Sequence, residues 1–448
     1  MQTYVARDYL KFVLPSLCGV FFFLLPVHYD DKWTIPMGIM SDGLRAWAGD
    51  AMHVVVLVIV IASALVSLLA SAWKRINGER HLPELWRSFD VSAAWLLLRL
   101  LGTLVAVCIY FQLGPEWLWG SRTGHVVFYD LAVPIVTIFI FACLLLPLLT
   151  DYGLMEFVGS LLRRPFQFIF GLPGRSSIDC MASWMSASAV GVLLTSQQYD
   201  RGYYSGREAA VIATNFSVVS LPFCLLVAQF AGLGHMFIQF YCTVAFAGII
   251  AAIIVPRLPP LRGIADSYAP VGKQIQEDQQ AGQPVFQASL RAALAKANTA
   301  SGVKGWLRSA LENVTDIWFG LMPPLMIIAT AGLVIAEYTP VMQWLSLPFV
   351  PLLELLQLPE AEKAAPAMVV GFAEMFLPAV IASGIESELT RFVVISTSIV
   401  QLIYMSEMGV LILKTNLPLN LWQLMFIFLV RTLVTLPVIA AVAHFLVF

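Results

Sequence analysis

The chain contains several uninterrupted apolar runs, each about as long as a bilayer is thick. One of them is "VVVLVIVIASALVSLLASAW" at 54–73, and roughly 20 apolar residues suffice for a helix to cross the hydrocarbon core. Hydrophobic residues make up 59% of the sequence and charged residues 12%, a composition outside the range of water-soluble domains. The runs lack the alternation of apolar and polar residues that transmembrane β-strands require. We therefore predict an all-α integral membrane protein that resides in a lipid bilayer.

Nine segments are predicted to cross the membrane as single helices. They are 9–27, 51–73, 90–112, 127–150, 207–231, 234–256, 314–337, 390–413 and 418–446. The first three form an N-terminal element, 1–125, that stands outside the internal repeat described below. We predict that this three-helix element serves as a scaffold or as the interface of a homodimer.

Lysine and arginine are distributed unevenly around these segments. With the N-terminus in the cytoplasm, nineteen of the 26 basic residues fall on the cytoplasmic side, as the positive-inside rule requires. The net charge is −2 and no basic stripe is present, so no nucleic-acid partner is expected. The polar stretch 258–312 is then cytoplasmic. We expect it to be a mobile linker followed by a short helix on the membrane surface, with Phe286, Leu290 and Leu294 on the apolar face of that helix.

Two parts of the sequence resemble each other. A shift of 186 residues aligns 130–174 with 316–360, and a shift of 182 residues then aligns 210–223 with 392–405. The matched pairs include Asp130 with Asp316, Asp151 with Glu337, Tyr152 with Tyr338 and Pro165 with Pro351. Each copy contains three crossings, and this odd number predicts that the second copy is inverted relative to the first.

The repeat divides the chain into four parts. After the N-terminal element we predict a first repeat at 126–257, a cytoplasmic linker at 258–312 and a second, inverted repeat at 313–448. Inverted repeats with discontinuous helices are typical of secondary transporters, whose site lies near the midplane between the two copies.

Two further apolar segments, 176–198 and 364–385, are each predicted to enter and leave the membrane on one side. The first is rich in small residues around Ser186 and Ser188, and the second is interrupted by Pro378. Both patterns favour two half-helices over one crossing. Irregular backbone at membrane depth is tolerated where it lines a cavity or is buried in protein, so we predict re-entrant hairpins that line a site.

Glu374 is the one charged residue in "VVGFAEMFLPAVIASG" at 369–384. A charge in hydrocarbon costs at least about 2.5 to 3.5 kcal/mol, so a buried carboxylate there is expected to have a function. The repeat offset places Glu374 opposite Ser188 in the first hairpin. Polar residues in the crossings after the two hairpins complete the predicted substrate site: Ser186, Ser188, Asn215, Glu374, Thr397, Gln401 and Tyr404.

Hard oxygen donors near the same level are predicted to couple an ion, either Na⁺ or H⁺. The predicted ion-coupling residues are Ser217, Glu374, Ser396, Ser398 and Glu407. Arg431 lies in the middle of an apolar run and is expected to pair with one of the two glutamates. The alternative for Arg431 is an anchor for an anionic substrate.

The motifs "GLPGRSSIDCMASWMSASAVG" (171–191) and "GFAEMFLPAV" (371–380) resemble those of the bacterial nucleoside-recognition, or Gate, family of inner-membrane proteins. The resemblance covers about 127–446. The second motif is also similar to a hairpin of concentrative nucleoside transporters, in which a Gly-x-x-Glu run with a nearby proline contacts sugar hydroxyls and the coupling ion. The resemblance implies an inner-membrane location, a close backbone approach at Gly371 and a ligand role for Glu374.

The leading functional hypothesis is an ion-coupled secondary active transporter of a small polar metabolite, such as a nucleoside, an amino acid or a short peptide. The alternative is a non-transporting gate or scaffold subunit that acts with a companion membrane protein. An intramembrane enzyme is disfavoured because the sequence has no GxGxxG, Walker A, HExxH or nucleophile-elbow motif. Apart from the coupling Na⁺ or H⁺, no cofactor is expected.

Overall fold

The computed structural model describes residues 5–25, 27–29, 32–77, 89–185, 188–268, 272, 285–300 and 302–448, and it is predominantly helical. The helices of the first half are α1 (Ala6–Leu24), α2 (Pro36–Ala48), α3 (Ala51–Asn77), α4 (Ala93–Tyr110), α5 (Glu116–Trp119), α6 (Val133–Leu145), α7 (Pro147–Thr150), α8 (Leu154–Pro165), α9 (Ser176–Met185), α10 (Ser188–Asp200), α11 (Gly206–Asn215), α12 (Leu221–Phe230) and α13 (Phe237–Ile254). Those of the second half are α14 (Val285–Thr299), α15 (Gly302–Thr315), α16 (Met322–Tyr338), α17 (Val341–Ser346), α18 (Val350–Leu355), α19 (Ala361–Ala364), α20 (Ala367–Val370), α21 (Leu377–Ser383), α22 (Glu388–Gln401), α23 (Val410–Lys414) and α24 (Leu421–Val442).

Short π-helical and 3₁₀ segments extend or connect these helices. The π-helical segments are Val126–Ala132, Phe166–Phe170, Asp316–Leu321, Met405–Gly409 and Ala443–Val447. The 3₁₀ segments are Gly234–Met236, Val255–Arg257, Leu261–Gly263 and Leu347–Phe349.

Among the described residues, seven helical stretches are long and apolar enough to cross a membrane. They are Ala51–Ile76, Ala93–Tyr110, Val126–Thr150, Gly234–Arg257, Lys304–Ile335, Glu388–Lys414 and Leu421–Val447. The chain is therefore a multi-pass α-helical membrane protein, as predicted. The predicted span 9–27 is not among the seven, because α1 begins with Arg7, Asp8 and Lys11 among its apolar residues.

The predicted single span at 207–231 is wrong. Helix α11 ends at Asn215, residues 216–220 are not helical, and α12 begins at Leu221. Each piece has ten residues, about half the length that a bilayer requires. A proline at the second position of α12 starts the new helix, since proline is well placed in a first turn and poorly placed in a helix interior.

The described chain divides into two compact units. The larger unit comprises Met1–Pro36, Leu145–Trp306 and Pro348–Phe448, and the smaller unit comprises Met37–Leu144 and Leu307–Leu347. Both are assembled from segments that lie far apart in sequence. The four-part division inferred from the repeat stays a prediction.

In the smaller unit, α4 packs along α16. A Cβ atom at Gly102 would lie 1.8 Å from the carbonyl oxygen of Pro323, so this close approach of two backbones requires glycine. The Ser63 hydroxyl donates to the carbonyl of Phe319 at 2.5 Å. On the same unit's surface, Arg122 and Glu337 form an exposed ion pair at 2.6 Å.

In the larger unit, α9 and α10 form a helical hairpin. The two helices flank residues 186–187, which lie outside the described residues, and they pack against each other. A Cβ atom at Gly191 would lie 1.6 Å from the Ser183 hydroxyl oxygen. Residues eight apart on one continuous helix are about 12 Å apart along its axis, so the chain folds back between them.

The segment 364–385 also folds into two short helices rather than one. Helix α20 ends at Val370, turns occupy 371–373 and 375–376, and α21 begins at Leu377 with Pro378 in its first turn. The base of this hairpin is fixed by Glu360, whose carboxylate accepts the backbone N–H groups of Glu386 and Ser387 at 2.9 and 3.0 Å. Lys363 and these N–H groups hold the pKa of Glu360 below its ordinary value. Whether the two hairpins are re-entrant in the membrane stays a prediction.

Two parts of the fold differ from the sequence predictions. Residues Val27–Tyr29 (β1) and Lys32–Thr34 (β2) pair as antiparallel strands, with His28 opposite Trp33, so the predominantly α chain contains one short β-ladder. The predicted amphipathic helix is present as α14, but it packs against α1 and α8 instead of lying alone on a membrane. Leu294 is 1% exposed in a cluster with Phe12, whereas Phe286 is 59% exposed, so protein covers part of the predicted apolar face of α14.

Candidate functional site

The candidate site lies in the larger unit, where each helical hairpin contacts an interrupted helix that is distant from it in sequence. Helix α10 of the first hairpin contacts Met405–Gly409 and α23, while α21 of the second hairpin contacts α12. Phe376, at the start of α21, is fully buried and packs on Phe223 and Phe230 of α12. Each hairpin thus contacts the second piece of an interrupted helix from the other half of the chain.

The second crossing is interrupted much as the first one is. Helix α22 ends at Gln401, Leu402 has the left-handed backbone φ of 60°, and the chain is non-helical until Met405. This conformation is uncommon for a residue with a branched side chain. The released backbone pairs with the second hairpin, because the N–H groups of Met405 and Ser406 donate to the carbonyls of Phe372 and Ala373 at 2.8 and 3.0 Å. The carbonyls of the hairpin turn and the N–H groups after the helix break therefore pair with each other.

Glu374 is 6% exposed and lies at the turn of the second hairpin. One of its carboxylate oxygens, Oε2, accepts the backbone N–H of Phe376 at 2.6 Å. Phe376 directly precedes α21, and an N–H group at the start of a helix has no partner within that helix. Glu374 therefore stabilises the start of the second half-helix, in addition to any ligand that it binds.

Ser188, Tyr404 and Glu407 are joined by hydrogen bonds across the two repeats. The hydroxyl groups of Ser188 and Tyr404 are 2.9 Å apart, and the Tyr404 hydroxyl donates to Glu407 Oε2 at 3.2 Å. The turn that carries Glu374 lies beside this group, since the N–H of Ser406 donates to the carbonyl of Ala373 at 3.0 Å. The polar cluster of Ser188, Glu374, Tyr404 and Glu407 thus contains two acidic groups and two hydroxyls, a set that suits a cation or a ligand with hydroxyl or ammonium groups.

The sequence predicted that Ser188 approaches Glu374 and Thr397, whereas the described hydrogen bond of Ser188 goes to Tyr404. Ser186 lies outside the described residues. Three of the other predicted hydroxyl ligands bond to nearby backbone carbonyls: Thr397 to Val393 at 2.8 Å and Ser398 to Ile395 at 2.9 Å within α22, and Ser217 to Ala213 of the preceding helix α11 at 2.8 Å. Such back-bonding is the ordinary role of Ser and Thr in apolar helices. The buried Ser396 hydroxyl has no hydrogen-bond partner.

Arg431 lies between the ends of the two interrupted helices. Its Nη1 donates to Asn215 Oδ1 at 2.6 Å, and its Nε donates to the carbonyl oxygen of Val400. Asn215 is the last residue of α11, and Val400 lies in the last turn of α22. The predicted pairing of Arg431 with a glutamate is wrong, because helix C-termini carry partial negative charge and unpaired carbonyls that can hold a cation without a carboxylate.

Gln401 packs against the second hairpin at Gly371. Gln401 Nε2 donates to the carbonyl of Met368 at 3.0 Å and to the Thr432 hydroxyl at 2.8 Å. A Cβ atom at Gly371 would lie 2.5 Å from Gln401 Oε1, so this position has no room for a side chain, and the approach of a ligand to Gly371 stays a prediction. Gln401 Oε1 is buried and accepts no hydrogen bond.

Several residues of this region were not predicted. Thr432 and the carbonyls of Met368 and Val400 hold the predicted side chains in place, and Leu402 supplies the backbone break. Thr432 follows Arg431 directly in an apolar run, and this polar residue type could have marked it as part of the site. The carbonyls and the left-handed Leu402 have no signature in the residue types.

The fold and site define a multi-pass α-helical membrane protein with interrupted helices and a buried polar cluster. Residues 132–234 match the model of the family described as Gate, nucleoside recognition. An uncharacterized protein of Alkalihalophilus pseudofirmus is 48% identical over 446 residues, which cover 99% of this chain and 96% of that protein. The chain belongs to the Gate, or nucleoside-recognition, family. No solved structure matches the chain.

Proposed function

We propose that the protein is an ion-coupled secondary active transporter of a small polar metabolite that works by alternating access. The main support is that two apolar helices, α11–α12 and α22–α23, are both interrupted in the same unit. Arg431 bonds to the ends of α11 and α22, and the break after α22 carries Tyr404 of the polar cluster. Non-helical backbone within a membrane protein is expected where it lines a ligand path.

The reciprocal packing of the hairpins supports an alternating mechanism. Each hairpin rests on the second half of the other repeat's crossing. The two repeats could therefore exchange conformations while each hairpin keeps the same kind of contact. In an inverted repeat such an exchange would move access from one side of the membrane to the other. The inversion, the cytoplasmic N-terminus and a bacterial inner-membrane location are parts of this proposal.

Glu374 and Glu407 are proposed as the ion-coupling groups. An ionised pair near one site attracts Na⁺ or a substrate ammonium group, whereas a protonated member can carry H⁺ through the cycle. Ser188 and Tyr404 would contact substrate hydroxyl or amine groups, with Asn215, Gln401 and Gly371 holding the surrounding backbone. No chemical reaction on the substrate is proposed.

The test is uptake by the purified protein in proteoliposomes. Radiolabelled nucleosides, amino acids and dipeptides are supplied under an inward Na⁺ gradient or an inward pH gradient. We expect concentrative uptake of at least one compound with one of the two gradients. Absence of uptake for the whole panel, together with stable co-purification of a second membrane protein, would favour the alternative of a gate or scaffold subunit.

The variant Glu374→Gln keeps the shape of the side chain but removes its charge and its titratable proton. We expect it to fold and to lose gradient-driven accumulation of any transported compound, because the coupling group is gone. Glu362→Gln, which alters an exposed glutamate of the same repeat, is the matched control and should accumulate that compound normally. Full ion-dependent accumulation by Glu374→Gln would show that the carboxylate only stabilises the start of α21, and Glu407→Gln would then be the next variant.

A further inference from the structure

A cavity of about 390 Å³ lies in the larger unit, beside the ends of the interrupted helices. Its walls are almost entirely apolar and come from α9, α13, the π-helical segment Phe166–Phe170 and the end of α22. Representative wall residues are Phe166, Phe170, Val244, Ile249 and Leu402. A volume of this size with mostly apolar walls and few polar groups is typical of sites for small organic ligands.

Arg431 is the charged residue in the cavity wall. Its side chain is 1% exposed, and its described hydrogen bonds, to Asn215 and Val400, use two of the five N–H groups of a guanidinium. The other polar side chains of the wall bond among themselves or to backbone, since Trp184 donates to the Tyr241 hydroxyl and the Asn215 amide donates to Val211. The cavity thus combines apolar walls with one cation that retains hydrogen-bond donors.

We propose that this cavity binds an amphipathic organic carboxylate, with the carboxylate on Arg431 and the apolar body against the aromatic and aliphatic walls. A guanidinium presents paired donors that match the two oxygens of a carboxylate. One cation balances one negative charge, whereas a dianionic phosphate would leave an unbalanced charge in an apolar space. A neutral apolar ligand would leave the donors of Arg431 unpaired.

The mouth of the cavity lies on an apolar surface. Ile249 of α13 is 50% exposed and Ile169 is 41% exposed, and both line the cavity. Because α13 belongs to a candidate membrane span, a ligand dissolved in the bilayer can reach this surface. The ligand of this cavity is therefore an aliphatic carboxylate that enters from the membrane. The site is distinct from the polar cluster of Ser188, Glu374, Tyr404 and Glu407, and its occupation does not depend on what the protein transports.

The test uses a dodecanoate that carries a photoreactive diazirine on its alkyl chain, with the full-length protein in phosphatidylcholine nanodiscs. Illumination should label peptides from α9, α13 and Phe166–Phe170, as read by mass spectrometry. Unlabelled dodecanoate should compete, and dodecanol should need at least about a tenfold higher concentration, because it lacks the charge-assisted hydrogen bonds. Equal competition by dodecanol would overturn the proposal of an anion site. Stronger competition by dodecyl phosphate would overturn the carboxylate and indicate a phosphate monoester.

Two variants separate the site from general effects on folding. Gly248 lines the cavity, and a Cβ atom there meets nothing within 4 Å, so Gly248→Leu should fill the cavity without strain and reduce labelling at least about tenfold. Cys242→Leu adds bulk at an exposed position of the same helix and should leave labelling unchanged. Arg431→Gln should abolish the preference for dodecanoate over dodecanol. Unchanged labelling in folded Gly248→Leu would place the ligand elsewhere and overturn the proposal.

Discussion

Residues 126–257 and 313–448, the two predicted repeats, have the same order of elements but different chemistry at corresponding places. In both, an apolar crossing is followed by short helices, a hairpin, an interrupted crossing and a long helix. The first hairpin contributes the Ser188 hydroxyl, whereas the second contributes the Glu374 carboxylate. Asn215 ends the helix before the first interruption, and Glu407 follows the second interruption. The two segments thus have similar architecture, while both carboxylates of the polar cluster lie in the second segment.

Polar contacts join the two copies directly. Arg431 of the second binds Asn215 of the first, Tyr404 binds Ser188, and Asn416 donates to Asp200 at 3.1 Å. The first two of these contacts are buried. Hydrogen bonds in a low-dielectric interior are strong and costly to leave unmade. These bonds therefore fix how the interrupted crossings face each other, and substitutions at them measure how far the two copies depend on each other.

The largest effect is expected for Arg431→Met. The substitution leaves Asn215 Oδ1 and the Val400 carbonyl without their donor, and each buried unpaired acceptor costs on the order of 1 to 3 kcal/mol. We expect the free energy of unfolding, measured by denaturation with sodium dodecyl sulfate, to fall by about 3 kcal/mol. The matched control is Arg122→Met, which removes the exposed partner of Glu337 and should leave the stability unchanged. Equal stability of the two variants would show that the ends of α11 and α22 do not need the cation.

A smaller effect is expected from alanine at the two hairpin glycines. The Cβ of Gly191→Ala would meet Ser183 of its own hairpin at 1.6 Å, and the Cβ of Gly371→Ala would meet Gln401 of the neighbouring crossing at 2.5 Å. Overpacking of this kind costs about 1 to 3 kcal/mol, again read from denaturation with sodium dodecyl sulfate. Gly384→Ala, where the nearest atom is at 3.6 Å, is the control and should be neutral.

The two glycine variants also differ in how they can be rescued. Ser183→Gly removes the clashing side chain and should restore the stability of Gly191→Ala. Gln401→Ala should not restore Gly371→Ala, because it also removes the hydrogen bonds to Met368 and Thr432. Full rescue in both cases would mean that Gln401 is only a steric neighbour and that the two hairpins are held in the same way.

The sequence predicted the membrane class and both helix-pair segments because these depend on apolar length, small residues and Pro378. It missed the break at 216–220, since "FSVVS" is apolar enough to continue a helix and the signal of Pro222, in the first turn of α12, was not used. Packing between distant segments also explains why the partners of Arg431 were predicted wrongly. Its burial was readable from the apolar run, but its partners are a carbonyl and an amide at the ends of two helices distant in sequence. Residue types predict buried charge, whereas the partner is decided by backbone geometry.

The smallest effect is expected at the bond between Ser188 and Tyr404, which is the most direct test of coupling between the copies. Ser188→Ala removes one hydrogen bond, whereas Tyr404→Phe removes that bond and the bond to Glu407. We therefore expect Tyr404→Phe to lose more stability than Ser188→Ala, with each lost bond contributing about 1 kcal/mol. The double variant should lose less than the sum of the two single variants, since the shared bond is counted once. A coupling energy of about 1 kcal/mol in this cycle would show that the first hairpin and the second crossing are held together in the native state. Strict additivity of the two substitutions would mean that the hydroxyl groups act independently, and the polar cluster would then belong to the second repeat alone.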